Sequence, residues 1–136
     1  MKVKFLPGFV FIVILFLSAC NSNVPKAEAV AQEFYSALMH RNYFLMEKVI
    51  DDSVKKNVPL SQWEKVIDSL QVKRGAINKI NPVKVELFKD LNKNLIIVLT
   101  YKVFYEKGLH YERLYLIFRD KSAMPGVMKY EYDVKE

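Results

Sequence analysis

Leu95-Ile96-Ile97-Val98-Leu99-Thr100-Tyr101-Lys102-Val103-Phe104-Tyr105-Glu106 runs through Lys107-Gly108 into Leu109-His110-Tyr111-Glu112-Arg113-Leu114-Tyr115-Leu116-Ile117-Phe118-Arg119. Both runs are dense in β-branched and aromatic residues, which suit a pleated, half-buried surface, and a two-residue link containing glycine suits a hairpin loop. Pairing Glu106 with Leu109 sets Ile97 opposite Phe118, Leu99 opposite Leu116 and Tyr101 opposite Leu114. One face of the hairpin is then apolar, and a slip of one residue would bring Arg113 and Arg119 into it. The hairpin predicts an antiparallel sheet with one buried face.

Outward from the hairpin, the same period of two continues on both sides. From Pro82 onward Val83, Val85 and Leu87 alternate with Lys84, Glu86 and Phe88, and Asp90 to Asn94 is rich in turn formers. After a loop from Asp120 to Gly126, a last strand runs over about Val127–Val134. Upstream of Pro82 the period is helical. Ala27, Val30, Ala31, Phe34 and Leu38 share one face of a helix over about Lys26–His40, with Pro25 tolerated in its first turn. Asn42 caps a shorter helix whose apolar positions are Phe44, Leu45, Val49 and Ile50, and Asp51-Asp52 close it poorly. Ser61-Gln62-Trp63-Glu64 has the pattern of a capping box, and Gly75 stands where a left-handed cap would end the helix. Its buried stripe is Trp63, Val66, Ile67 and Leu70. The reading is an α+β domain, three helices packed on a four-stranded antiparallel meander.

The first 19 residues are of another kind. Met1-Lys2-Val3-Lys4 precedes an almost unbroken apolar run from Phe5 to Leu17, too short to span a bilayer as a stable helix and arranged as a signal peptide is. Leu17-Ser18-Ala19-Cys20 resembles the lipobox of bacterial lipoproteins. That resemblance implies a diacylglycerol on the Cys20 sulfur, cleavage before Cys20 and acylation of the new amino terminus. Two or three acyl chains, at roughly 0.8 kcal/mol per buried CH₂, hold a soluble domain on a membrane without a crossing helix. Residues 20–25, polar and containing Pro25, then read as a tether, and residues 26–136 as the domain. Asn21, where an Asp would favour retention at the inner membrane, leans towards the outer membrane if the cell is diderm.

Charge and cysteine count exclude several function classes. Removing Lys2 and Lys4 leaves 19 basic against 15 acidic residues, a mild excess with no basic stripe, so nucleic acid is not an expected partner. Cys20 is the only cysteine, so the exported domain has no internal disulfide and its stability comes from packing. Two isolated histidines do not make a transition-metal site, and no nucleophile elbow or glycine-rich phosphate loop is present. No cofactor is implied.

From Lys26 to Val134 the chain resembles the nuclear-transport-factor-two-like, or cystatin-like, cone fold in its small bacterial envelope members. The resemblance rests on Phe34-Tyr35-Ser36-Ala37-Leu38 followed by Arg41-Asn42-Tyr43, on the helix ending at Gly75, and on Val98-Leu99-Thr100-Tyr101-Lys102-Val103-Phe104-Tyr105 with its tight hairpin. It implies a curved sheet wrapped on the first helix, around an interior that is an active site in some members, a cleft in others and filled in many; fold alone assigns no function. A pocket would be lined by Phe34, Leu38, Tyr101, Tyr105 and His110. An isomerase-type member also needs a carboxylate facing inward. Glu112 has the right parity, but with His110 it reads as a solvated cluster at the hairpin end, and His40 as a cation near a helix terminus. The other face carries Val98, Phe104, Tyr111, Arg113, Tyr115 and Ile117, an interface-like composition suited to a second copy or an envelope protein, or equally to cover by the chain's own loops or tail. Two functions follow as expectations: a non-catalytic, membrane-anchored module that binds protein or assembles in the envelope, or a pocket protein that binds a small apolar ligand or acts on it as an isomerase-like enzyme.

Overall fold

The computed structural model describes residues 22–119 and 124–135. Helix α1, Val24–Met39, buries Ala27, Val30, Ala31, Phe34 and Leu38 as their spacing requires, and Tyr35 and Ala37 beside them. It starts two residues before the expected Lys26, because Pro25 at its first turn gives up no intrahelical bond. Helix α2, Tyr43–Val49, is capped by the Asn42 side chain, which accepts from the Leu45 amide at 3.2 Å. Its buried residues are Met46 and Val49, one turn apart, so Phe44 and Leu45 do not serve as core positions; Phe44 is 67 % exposed and lies beneath the Lys48 ammonium.

Asp51 does not close α2 poorly but opens a further helix, α3, Asp52–Asn57, by accepting from the Ser53 amide. Helix α4, Leu60–Arg74, begins at Pro59, which places Ser61 inside the helix, so the capping box does not form. The far end is as expected: Gly75, at φ 79°, donates to the Gln71 carbonyl and ends the helix. Ile67 and Leu70 are buried, while Trp63 and Val66 are half-buried.

The sheet is a four-stranded antiparallel meander in the order β1-β2-β3-β4, comprising Ile77–Lys89, Leu95–Tyr105, Gly108–Phe118 and Gly126–Val134. Strand β1 starts five residues earlier than the alternation suggests, since Ile77 already pairs with Tyr105. Pro82 sits within it at a register shift, and edge strands and bulges are where a sheet tolerates proline.

The β2–β3 register differs from expectation by one step on each strand. Tyr105, not Glu106, begins the pairing, opposite Gly108, and Ile97 faces Leu116, Leu99 faces Leu114 and Tyr101 faces Glu112. The cause lies outside the hairpin: the Glu106 and Lys107 amides donate to the carbonyls of Ala76 and Arg74, so these two residues serve as the loop. The displacement totals two residues, so every side chain keeps its assigned face. The α+β class thus holds, with helices on one side of the sheet: α1 packs on β2 and β4, and one core joins Phe34, Leu38, Met46 and Ile67 to Ile97, Leu99, Val103, Leu114 and Leu116.

Candidate functional site

The interior at the hairpin end is built around a carboxylate. Glu112 is 0 % exposed, which corrects its reading as part of a solvated cluster. Parity turns it inward, and the end of α4 together with β4 closes over it. Its Oε1 accepts from the hydroxyls of Tyr35 at 2.9 Å and Tyr130 at 2.8 Å. Its Oε2 accepts from Arg74 at 3.1 Å and from the Tyr105 hydroxyl. The four donors come from α1, β4, α4 and β2, so one side chain of β3 ties together most of the elements.

Arg74 makes further contacts of its own. Beyond Glu112 it donates to the Tyr132 carbonyl at 2.9 Å and to Asp133 at 2.6 Å, and its guanidinium lies over the Tyr105 ring at 5.3 Å. Burial pushes the Glu112 carboxyl above its ordinary value, with the tyrosine hydrogen bonds and the Arg74 charge pulling the other way. Burial, then the Glu112 charge, raises Tyr35, Tyr105 and Tyr130.

An ionised carboxylate offers about four lone-pair directions, and here all four are taken by protein donors. A general base needs a free lone pair within reach of substrate. The arrangement therefore acts as a cross-link between layers rather than as a base.

The expected pocket residues lie around this cross-link. Phe34, Leu38, Tyr101 and Tyr105 are all buried in the core, Phe34 edge-on to Tyr35, Trp63 and Tyr130, and Tyr35 edge-on to Tyr101. They fill the interior. His110 is half-buried at the rim, edge-on to Tyr105 at 5.6 Å, its pKa lowered by burial and then by Arg74. His40 caps the end of α1, its Nδ1 2.8 Å from the Ser36 carbonyl. Arg74, Tyr35 and Tyr130 were not anticipated. The available signal was Glu112 itself, an acid at an inward position next to Leu114, which has to find buried donors.

The opposite face is more closed than its composition suggests. Val98 and Ile117 are buried with Ile96 in a second cluster, against which Tyr115 and Met128 pack. Charged side chains lie over the aromatic ones, Lys129 above Tyr115 and Lys102 above Tyr111, and Arg113 pairs with Glu131 at 3.7 Å. Phe104, Tyr111, Arg113 and Tyr115 are half-buried. A hollow of about 250 Å³ opens between α3, α4 and the β4 edge, lined by Val54, Val58, Trp63, Val66, Tyr130 and Tyr132 among others. Leu17, Cys20 and Asn21 lie outside the described residues. Among the described residues no helix is long and apolar enough to cross a membrane, and no cluster of His, Cys, Asp and Glu is arranged to hold a metal ion.

No family model matches the chain, and no curated protein matches it. Among solved structures it is similar to Bd1075 of Bdellovibrio bacteriovorus, at 12% identity and a TM-score of 0.53. The match covers 81% of this chain and 40% of that one. At this identity the likeness is one of fold.

Proposed function

We propose that the chain is a lipid-anchored module of the bacterial cell envelope that binds protein and carries out no reaction. The observation that supports the non-catalytic reading is the saturation of Glu112: the one carboxylate facing the cone interior at the expected position has every lone pair occupied by Tyr35, Tyr105, Tyr130 and Arg74. The anchoring rests on Leu17-Ser18-Ala19-Cys20 and its resemblance to the lipobox. The order of helices and then a meander supports placement among nuclear-transport-factor-two-like, cystatin-like domains. A second copy or an envelope protein is the partner class, with Phe104, Tyr111, Arg113 and Tyr115 forming its contact surface, and Asn21 favours the outer membrane in a diderm cell.

Growth with a labelled fatty acid tests the anchor. The wild-type chain takes up label and is extracted from membranes only by detergent, whereas Cys20→Ser is unlabelled and released by an alkaline wash. Retention of the serine variant on washed membranes would sink the anchoring reading. Covalent cross-linking in intact cells tests the binding half, with Tyr115→Glu expected to abolish the cross-linked species.

A second reading is favoured by one observation. The Trp63 indole N–H is buried with no hydrogen-bond partner among the described residues, beside the apolar hollow of about 250 Å³. That volume lies below the usual range for drug-sized ligands, so only a small apolar molecule with one acceptor would fit. Trp63 is the only tryptophan, so its emission reports occupancy directly. An unchanged spectrum on titration with small aromatic and short-chain acids would dispose of this alternative.

A further inference from the structure

The second half of β1 is exposed on both faces. Every residue from Pro82 to Lys89 is exposed, and the apolar ones stand well out: Val83 at 50 %, Val85 at 39 %, Leu87 at 45 % and Phe88 at 45 %. Strand β1 is also an edge of the sheet, so one row of its backbone N–H and C=O groups has no strand beside it. Exposed, apolar edges of this length template pairing with another chain, and proteins blunt them with bulges, prolines and charges. Here the bulge at Pro82 and Val83 interrupts only the start of the exposed stretch, and the six residues Lys84 to Lys89 pair with β2 without a break.

The sequence of that stretch is complementary to its own reverse, with opposite charges on either side of Val85 and an apolar residue beyond each. Antiparallel pairing of two identical strands about a two-fold axis is isologous, so each residue i faces a partner j and the reverse contact is made as well. With the axis at Val85, Lys84 of each copy faces Glu86 of the other, Val85 faces Val85, and Val83 faces Leu87. Both charges are free to do so, being 62% and 44% exposed and joined within one chain only by a loose 3.5 Å contact. Pro82, which has no N–H to donate, ends the ladder. Moving the axis to Glu86 would set Glu86 against Glu86, and moving it to Leu87 would set Lys89 against Val85 on the apolar side. The Glu86 axis thus fails on charge and the Leu87 axis on the apolar side, where its one opposite-charge pair would need Asp90, already held by Asn92 and Asn94; the axis at Val85 is left of the three.

We propose that two copies of this chain pair antiparallel along β1, centred on Val85 with Lys84 facing Glu86 of the other copy, joining the two meanders into one eight-stranded sheet. The pairing uses neither the outer-face residues nor the lipid anchor, so it stands or falls separately from the function proposed above.

Two measurements on the full-length chain in detergent test it. In a Cys20→Ser background, Val85→Cys gives a disulfide-linked dimer under mild oxidation, because like positions at the axis sit within disulfide distance. Val83→Cys does not, because each Val83 then faces Leu87 of the other copy. By sedimentation equilibrium, Lys84→Glu raises the dimer dissociation constant by about tenfold, since two attractive cross-strand pairs become repulsive. Adding Glu86→Lys to Lys84→Glu restores dimerisation to within about threefold of the parent. All these side chains are exposed, so folding is unaffected, which circular dichroism checks. A monomeric parent overturns the proposal. So does equal cross-linking at positions 83 and 85, failure of the charge swap to rescue, or a dimer abolished by Tyr115→Glu and indifferent to Lys84→Glu.

Discussion

Glu112 and Arg74 behave as one unit, and the sign of any change there depends on whether one or both are replaced. Removing one member of a buried ion pair leaves the other without compensation, typically at a cost of 3–5 kcal/mol, whereas replacing both with apolar groups of similar size is often neutral or better. Arg74→Met is therefore expected to lower the unfolding free energy in urea by about 3 kcal/mol, because Glu112 keeps only its tyrosine donors. In Arg74→Met/Glu112→Leu the loss should be smaller than the sum of the two single changes, because no buried charge is left unpaired, although three tyrosine hydroxyls then lack their acceptor. A double variant as unstable as the sum of the single changes would show that the two side chains act independently. This cross-link was only half legible in the sequence. Alternation placed Glu112 on the inward face, but nothing local connects it to Tyr35, 77 residues away, or to Arg74, which reads as half of a surface pair with Lys73.

Elements were legible where a periodic run is long, and illegible where tertiary contacts set the ends. The α1 face and both faces of the β2–β3 hairpin follow directly from spacing. The hairpin loop moved because Arg74 and Ala76 hold its amides, and α3 was missed because Asp51 has two roles. It caps α3 and also receives Arg119 at 2.8 and 2.9 Å, while its own amide donates to the Val127 carbonyl. These bonds connect the start of α3 to the ends of β3 and β4. Asp51→Ala should cost about 1–2 kcal/mol in chemical unfolding and Asp51→Asn less than half of that, because asparagine still caps. Equal losses would assign the whole effect to the Arg119 charge. Gly126 belongs to the same junction: a Cβ there would lie 2.8 Å from the Asp51 Cα, so Gly126→Ala should destabilise by about 1–3 kcal/mol by pushing the junction apart.

At the scale of the whole molecule the core is rich in tyrosine, which predicts how stability depends on pH. Burial, with the Glu28 charge added, pushes Tyr101 up to about 12, and Tyr35, Tyr105 and Tyr130 are raised as well. A tyrosine whose folded pKa exceeds its unfolded value contributes stability that is fully present below about pH 10 and is lost as pH rises through the folded value. Glu112 has the same sign at lower pH, its share falling away as pH rises above the ordinary carboxylate range. Asp51 has the opposite sign: burial raises it, the Arg119 hydrogen bond and charge outweigh burial, and its share is lost as pH falls. Thermal unfolding scanned from pH 5 to 12 should show a steep alkaline decline beginning near pH 10, and a flat profile there would contradict the buried phenols.

The helical layer lies on one side of the sheet, and α1 begins at Val24, four residues after Cys20. Four extended residues reach at most about 14 Å, so an acylated Cys20 would hold that layer close to the lipid. A two-fold axis normal to the sheet leaves the helices of both copies on the same side, so both acyl groups would enter one leaflet together. Confinement to two dimensions raises the effective concentration of one edge near another, so a pairing that already forms in detergent would be more fully populated at a bilayer surface.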